Sequence, residues 1–210
     1  MKQQLRVVGL GGSMREGSSS LAALAIALEG AADAGARTEL LNVRSLDLPM
    51  YTPAEATVTE SVSLMCEDIY AAHGLIWASP MYHGTVSGSF KNALDWLQLL
   101  VDRDPPFLTD KVIGLVSTAG GVQGIQAVNT MEFAVRALRG WAVPLVIPIP
   151  QAWQAFDEHE RPRDPRVEEQ LKTLGREVTR VAERMAQGQA ADPASECAEA
   201  AARAAQVAAA

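Results

Sequence analysis

Cysteine is almost missing from this chain: Cys66 and Cys197 are the only two in 210 residues, far apart and without a C-x-x-C spacing. That excludes a disulfide scaffold and a thiolate metal cluster. Histidine is as scarce. His73, His83 and His159 show no H-E-x-x-H spacing, so a histidine-built metal site has no footing either. Positive charge is in deficit, with 18 Lys and Arg against 25 Asp and Glu and a formal net charge of -7. A sequence pI of about 5.0 argues against a nucleic-acid surface. No uninterrupted apolar run is long enough to cross a bilayer. The N-terminus, Met1 to Leu5, leads directly into the first apolar run without the hydrophobic region of a secretory leader. The expectation is a cytoplasmic, metal-free protein with neither a nucleic-acid nor a membrane partner. Carboxylate pairs and a Ser–His–Asp order are also missing, which is tolerable where a bound cofactor carries the reaction. What is present, 48% hydrophobic and 20% charged residues over 210, suits one globular domain with a good core.

Two further absences sharpen the most informative stretch. An apolar run, Leu5-Arg-Val-Val-Gly-Leu10, opens into Gly11-Gly-Ser-Met-Arg-Glu-Gly-Ser-Ser-Ser20 and then into a helical pattern. Strand, glycine- and hydroxyl-rich loop and helix together make an anion seat, because helix N-terminal amides and the macrodipole favour negative charge there. A dinucleotide fingerprint needs a third glycine where Met14 stands. A P-loop needs a lysine where Ser18 stands, although Gly12, Gly17 and Ser19 match its spacing. What remains is a nest of Ser13, Ser18, Ser19 and Ser20 with one guanidinium, Arg15, suited to a single terminal monophosphate. The plainer alternative is a glycine turn followed by an N-cap serine.

Strand-like and helix-like runs alternate along the chain. Helical spacing covers Leu21 to Ala34, closed by Gly35. A second strand spans Thr38 to Val43, and a proline-punctuated loop spans Leu46 to Pro53. A helix runs from about Thr59 to Ala72, and a fully buried third strand from Gly74 to Ser79. Val86 to Leu100 is helical, Lys111 to Ser117 a fourth strand, Gln123 to Arg139 helical and Trp141 to Ile149 a fifth strand. The last long helix spans Pro165 to Ala186, with Asp164 as N-cap and proline at its first position. This alternation predicts a parallel, doubly wound α/β sheet occupying residues 1–187. The alanine-rich stretch 188–210 reads as a frayed tail or as an extra helix against a neighbouring subunit.

In such sheets ligands sit beyond the carboxyl ends of the strands. The loops after strands one, three and four therefore converge, and all three are small, polar and rich in glycine. Tyr82 offers an aromatic face or simply covers the strand ends. Pro80 holds its predecessor extended and is expected to turn the chain away from the sheet. His83 reads equally as a ligand contact or a solvated loop residue. Gly120 and Gly121 leave room for backbone amides to approach a flat ligand, or form only a turn. The helix from Gly88 to Leu100 is apolar around much of its circumference, which implies a cover on two sides. Homo-oligomerisation supplies that second cover in the preferred account, with Lys91, Asp95 and Trp96 at the interface; Lys91 and Asp95 pair across it or lie on a solvated face.

Together these motifs resemble the NADPH-dependent FMN reductase family. The resemblance rests on Gly12-Ser-Met-Arg-Glu-Gly-Ser-Ser-Ser20, on Ser79-Pro-Met-Tyr-His-Gly84, on Ser87-Gly-Ser-Phe-Lys-Asn-Ala-Leu-Asp-Trp96, and on Phe156-Asp-Glu with Asp164-Pro165. It covers roughly residues 5–187 and implies a flavodoxin-like fold with five parallel strands in the order 2-1-3-4-5. It implies that Ser13, Arg15, Ser18 and Ser20 hold the phosphate of FMN. Pro80, Met81, Tyr82, His83 and Gly84, with Ser117, Thr118, Gly120 and Gly121, would hold the ribityl chain and ring. The implied activity is hydride transfer from NADPH or NADH to FMN, then electron delivery to a free flavin, quinone, azo compound or metal oxyanion. The helix of Lys91 and Asp95 would lie in a homodimer or homotetramer interface. Two departures stand out: Met81 replaces a glutamate of many relatives, and Ser20 an asparagine of several. The alternatives are a flavodoxin-type electron carrier without enzymatic activity and a regulatory nucleotide-binding module.

Overall fold

The segment Gly74–Tyr82 is a strand buried from Gly74 through Pro80. Such continuous burial is open only to a strand covered on both faces. The computed structural model describes residues 4–53 and 57–190. Its strands are β1 (Arg6–Gly11), β2 (Arg37–Asn42), β3 (Gly74–Tyr82), β4 (Thr85–Val86), β5 (Val112–Thr118) and β6 (Trp141–Ile149). Its helices are α1 (Ser19–Asp33), α2 (Val43–Leu46), α3 (Glu60–Ala71), α4 (Gly88–Trp96), α5 (Ile125–Ala137), α6 (Ala152–Ala155) and α7 (Pro165–Ala190). A 3-10 turn, Leu97–Leu100, continues α4.

The five long strands are parallel in the order β2-β1-β3-β5-β6. Counted over those long strands, this is the expected 2-1-3-4-5. A sixth strand was not expected: the two residues of β4 pair antiparallel with Met81 and Tyr82. The expected departure of the chain at Pro80 is therefore corrected. Strand β3 continues past it, with Pro80 in register with Thr118, and the chain reverses only at His83 (φ 49°) and Gly84 (φ 81°). Two central residues with positive φ define the hairpin turn whose twist matches its flanking strands. Proline held the strand extended, as its ring dictates, but did not end it.

Helices α1 and α7 cover one face of the sheet, over Val7, Ile76, Val112 and Val116. Helices α3, α4 and α5 cover the other, over Val8, Leu10, Trp77 and Leu115. The helix ends follow their capping residues. Gly35, at φ 91°, closes α1, and Thr59 Oγ accepts from Val62 N–H at the head of α3. Asp164 accepts from Arg166 N–H ahead of α7. The short helices α2 and α6 fall outside the expected elements, being single turns with no periodicity to read. Helix α7 runs to Ala190, so the tail boundary expected at 188 falls inside it. The remainder of that tail, with Cys197, lies outside the described residues.

Helices α1 and α7 touch backbone to backbone. A Cβ on Gly175 would lie 1.9 Å from the Ala27 carbonyl oxygen, and one on Gly30 2.1 Å from that of Lys172. Both residues are positions where only hydrogen fits. Gly175→Ala is therefore expected to lower stability by about 3 kcal/mol or more, the upper range for overpacking, measured by urea unfolding. A loss under about 1 kcal/mol would show that the crossing has slack.

Candidate functional site

The loop after β1 begins on a fixed point. Gly12 N–H donates to the Ala78 carbonyl at 2.8 Å. Its own carbonyl accepts from two hydroxyls at the head of α4, Ser87 Oγ at 2.5 Å and Ser89 Oγ at 2.9 Å. A Cβ on Gly12 would meet that of Phe90 at 2.5 Å, so only glycine permits this approach. Beyond it, Ser13 Oγ accepts from Arg15 N–H at 3.1 Å, which curls the loop. Gly17, at φ 59°, then turns the chain into α1.

The serines do not share one role. The Ser18 carbonyl accepts from Leu21 and Ala22 N–H, but its hydroxyl makes no cap bond to α1. Instead Ser18 and Ser20 share a buried hydroxyl–hydroxyl bond of 2.9 Å. Ser18 thus stands at the N-cap of α1, but its hydroxyl does not serve the first amides of the helix. Ser19 is turned elsewhere, donating to the Ala152 carbonyl at 3.2 Å. The loop's one carboxylate, Glu16, points away to Arg44 at 3.2 Å. Its one guanidinium, Arg15, is exposed at the mouth. Amides, hydroxyls and a cation with the carboxylate withdrawn form a donor set suited to an anion.

The other two loops are tied to this one. Ser87 N–H donates to Ser79 Oγ at 3.0 Å, linking the α4 head to the end of β3. The hairpin tip carries exposed Tyr82 and His83, and Thr85 Oγ1 bonds to Thr130 Oγ1 of α5 at 3.2 Å. After β5, Ala119 N–H donates to Ile149 O and Ala152 N–H to Ala119 O, both at 2.9 Å. The seat, the hairpin and the loop of Gly120 thus form one connected rim at the carboxyl ends of the strands. Gly120 faces open space. Ser117 is fully buried and donates to the Gly124 carbonyl at 2.7 Å, and Thr118 is nearly buried. The Ser117 hydroxyl thus shapes the loop from within.

The interface assignment of Trp96 is corrected. Its side chain is fully buried within its own chain, its Nε1–H donates to the Pro49 carbonyl at 2.8 Å, and Tyr51 packs edge-on against it. Asn92, which the sequence reading passed over, donates from Nδ2 to the same carbonyl and accepts from Tyr51 N–H. Helix α4 owes part of its second cover to the chain's own proline loop. Lys91 and Asp95 are exposed and pair with each other at 2.6 Å within the helix. Ser87 and Ser89 were also missed, since nothing in sequence links them to Gly12.

Acid–base groups are sparse here. Burial pushes the Cys66 thiol up to about 11, far from the rim in the core, so it is inert at neutral pH. No group of three His, Cys, Asp or Glu side chains suited to a metal occurs among the described residues. No helix among them is long and apolar enough to cross a membrane.

Comparison with known proteins gives the family. A family model described as NADPH-dependent FMN reductase matches residues 5–154. The chain is similar to the NADPH-dependent FMN reductase ArsH of Acidithiobacillus ferrooxidans, 33% identical over 127 residues, 60% of this chain and 52% of that protein. It is also similar to an FMN-dependent NADPH-azoreductase of Staphylococcus aureus, 32% identical over 105 residues, 50% of this chain and 53% of that protein. The chain spans about half the length of the curated relatives it matches. Among solved structures, the flavoenzyme NAD(P)H:(acceptor) oxidoreductase FerB of Paracoccus denitrificans superposes with a TM-score of 0.68 at 18% identity, covering 86% of this chain and 98% of that one. A flavodoxin from an archaeon superposes at 0.60 and 9% identity, covering 85% and 99%. At such identities the structural likeness shows the fold alone, and it is flavodoxin-like.

Ser87 also caps α4, accepting from Phe90 N–H at 3.1 Å. Ser87→Ala removes that cap and one of two bonds to Gly12 O, an expected loss of about 1–3 kcal/mol. Ser87→Thr, which keeps the hydroxyl, is expected to lose less than half of that. Urea unfolding of the two variants decides it, and equal losses would contradict the hydroxyl's role.

Proposed function

The chain belongs to the NADPH-dependent FMN reductase family, and from that footing we propose that it binds FMN and oxidises a reduced nicotinamide for delivery of electrons to a small acceptor. Bound FMN would supply the chemistry, accepting hydride from the nicotinamide and passing electrons to a free flavin, quinone, azo compound or metal oxyanion. The observation that carries the reading is the loop after β1, which gathers the first amides of α1, left without a side-chain cap, the hydroxyls of Ser13, Ser18 and Ser20, and Arg15, while Glu16 pairs with Arg44. That donor set suits a phosphate monoester in charge and in hydrogen-bonding type.

The remaining residues act by positioning. Ser13, Arg15, Ser18 and Ser20 hold the phosphate, with Ser19 steadying the loop after β6 through Ala152. Pro80 to Gly84 and Gly120 to Gly121 border the ring, Tyr82 and His83 at its open side. Ser117 acts from beneath, fixing the backbone of that border, and Thr118 lies beside it. An open rim with no built-in acid or base leaves the acceptor class broad, because alignment of two flat rings supplies most of what such a transfer needs.

A second copy of the chain is the proposed cover for the remaining face of α4. Between α4 and α5 lies an open groove of about 500 Å³ with Leu94, Asp95, Gln98, Ala134 and Leu138 on its walls. Light scattering is expected to give two or four times the chain mass of 22.4 kDa. A monomer would remove this part of the proposal.

The test of the main reading is reconstitution followed by anaerobic titration. The FMN-loaded protein is expected to bleach on addition of NADPH or NADH without any second protein. A flavodoxin-type carrier would stay oxidised. Arg15→Ala removes a charge-assisted phosphate contact worth about 1.5–3 kcal/mol, so FMN affinity is expected to fall at least about tenfold. Unchanged affinity by fluorescence titration would mean the seat is wrongly assigned.

A further inference from the structure

Helix α5 touches both borders of the proposed ring site. At its head the chain arrives from the loop of Gly120 and Gly121, and Ser117 Oγ, at the end of β5, donates to the carbonyl of its N-cap residue Gly124 at 2.7 Å. Two side chains further along meet the hairpin instead. Gln126 and Thr130 are four apart and therefore share a face of the helix. Gln126 Oε1 lies 3.1 Å from the place a Gly84 Cβ would take, and Thr130 Oγ1 bonds to Thr85 Oγ1 at 3.2 Å. Thr130 Oγ1 also donates to the Gln126 carbonyl at 3.1 Å, and a hydroxyl has a single proton to give. Thr85 is therefore the donor to Thr130, and Thr130 the acceptor.

The hairpin needs such a support. Strand β4 has two residues, paired Met81 to Val86 and Tyr82 to Thr85, and a two-stranded ribbon is marginal by itself. Val86 is buried and anchors the base, but Tyr82 at the tip is 53% exposed. The turn is also strained: His83 takes φ 49°, a position that asparagine or glycine fills more easily. A strained turn keeps its place only where its surroundings fix it. Here α5 supplies them, with Gln126 against the glycine and Thr130 against the strand that follows. The threonine bond is exposed, so it bears on the place of the tip far more than on the stability of the domain.

We propose that Thr130 is a positioning residue: it holds Thr85 so that the hairpin and the glycine loop stand at a fixed separation, and that separation sets how well nicotinamide and acceptor are received on the open side of the flavin. Because one helix carries both borders, their spacing is a property of α5. A hairpin that strays must be ordered again by each ligand that enters, and apparent affinity falls with the fraction of molecules in which it is in place. The proposal rests on the reading above that these borders flank FMN, and it adds the residue that spaces them.

The first test needs no cofactor. In the FMN-free protein, hydrogen exchange over residues 81–86, followed by mass spectrometry, is expected to quicken in Thr130→Val, which keeps the shape and loses the acceptor. Thr85→Val is expected to do the same, the double variant to be no faster than either single one, and Thr130→Ser to restore the wild-type rate. The urea midpoint is expected to stay where it is in all four. The second test uses the FMN-loaded protein. In Thr130→Val, KM for the nicotinamide and for a small quinone is expected to rise about threefold to tenfold, as loss of one neutral hydrogen bond allows, with kcat and FMN affinity unchanged. Thr130→Ser is expected to return KM to its wild-type value. Exchange or KM unmoved by Thr130→Val would overturn the proposal, as would an FMN affinity that falls with them. Failure of the wild-type protein to oxidise either nicotinamide would overturn the function reading instead, and hydrogen exchange would still decide whether Thr130 holds the hairpin.

Discussion

The carbonyl oxygen of Gly12 is the point on which the site depends. Two hydroxyls from the head of α4 hold it, while its amide is held by Ala78 of the neighbouring strand. Because the residue is glycine, Phe90 can lie directly against it. The loop that follows is therefore launched from a fixed height above the sheet. The same Ser87 that holds Gly12 also caps α4 and bonds to Ser79. One residue, through its hydroxyl and its amide, thus ties the loop after β1 to the end of β3.

Sheet topology brings these parts together. In the order β2-β1-β3-β5-β6 the chain switches direction beside β1, and the loops after β1, β3 and β5 open on the same side. Helices α1 and α7 lie close enough for Gly30 and Gly175 to meet backbone directly, which fixes the C-terminal half of α1 against α7. Rigidity at that helix matters for binding, since a preorganised anion seat loses little entropy when it is filled.

Much of this was readable from the chain. Period and punctuation located the long strands and helices within a few residues, and two missing residues, a glycine at 14 and a lysine at 18, narrowed the loop to a monophosphate seat. The failures have physical causes. Trp96 was placed at an interface because an apolar helix face looks the same whether another chain or its own proline loop covers it. Its partner, Pro49, is 47 positions away. Ser87 and Gly12 are 75 apart, beyond any local pattern. The hairpin at His83 and Gly84 carried a local signal, a glycine after a residue that tolerates positive φ, but the neighbouring proline drew attention first. In sequence the hydroxyls look alike; in the fold Ser117 and Ser19 donate to carbonyls, Ser18 and Ser20 bond to each other, and Ser13 accepts from Arg15 N–H.

The claim that a phosphate tail is what this loop recognises has a direct measure in the difference between two ligands that share one ring. FMN and riboflavin differ only in the phosphate, so titrating each into the purified protein isolates the contribution of the seat. FMN is expected to bind about a hundredfold tighter or more, as two charge-assisted contacts of roughly 1.5–3 kcal/mol would give. Riboflavin binding as tightly as FMN would contradict the account.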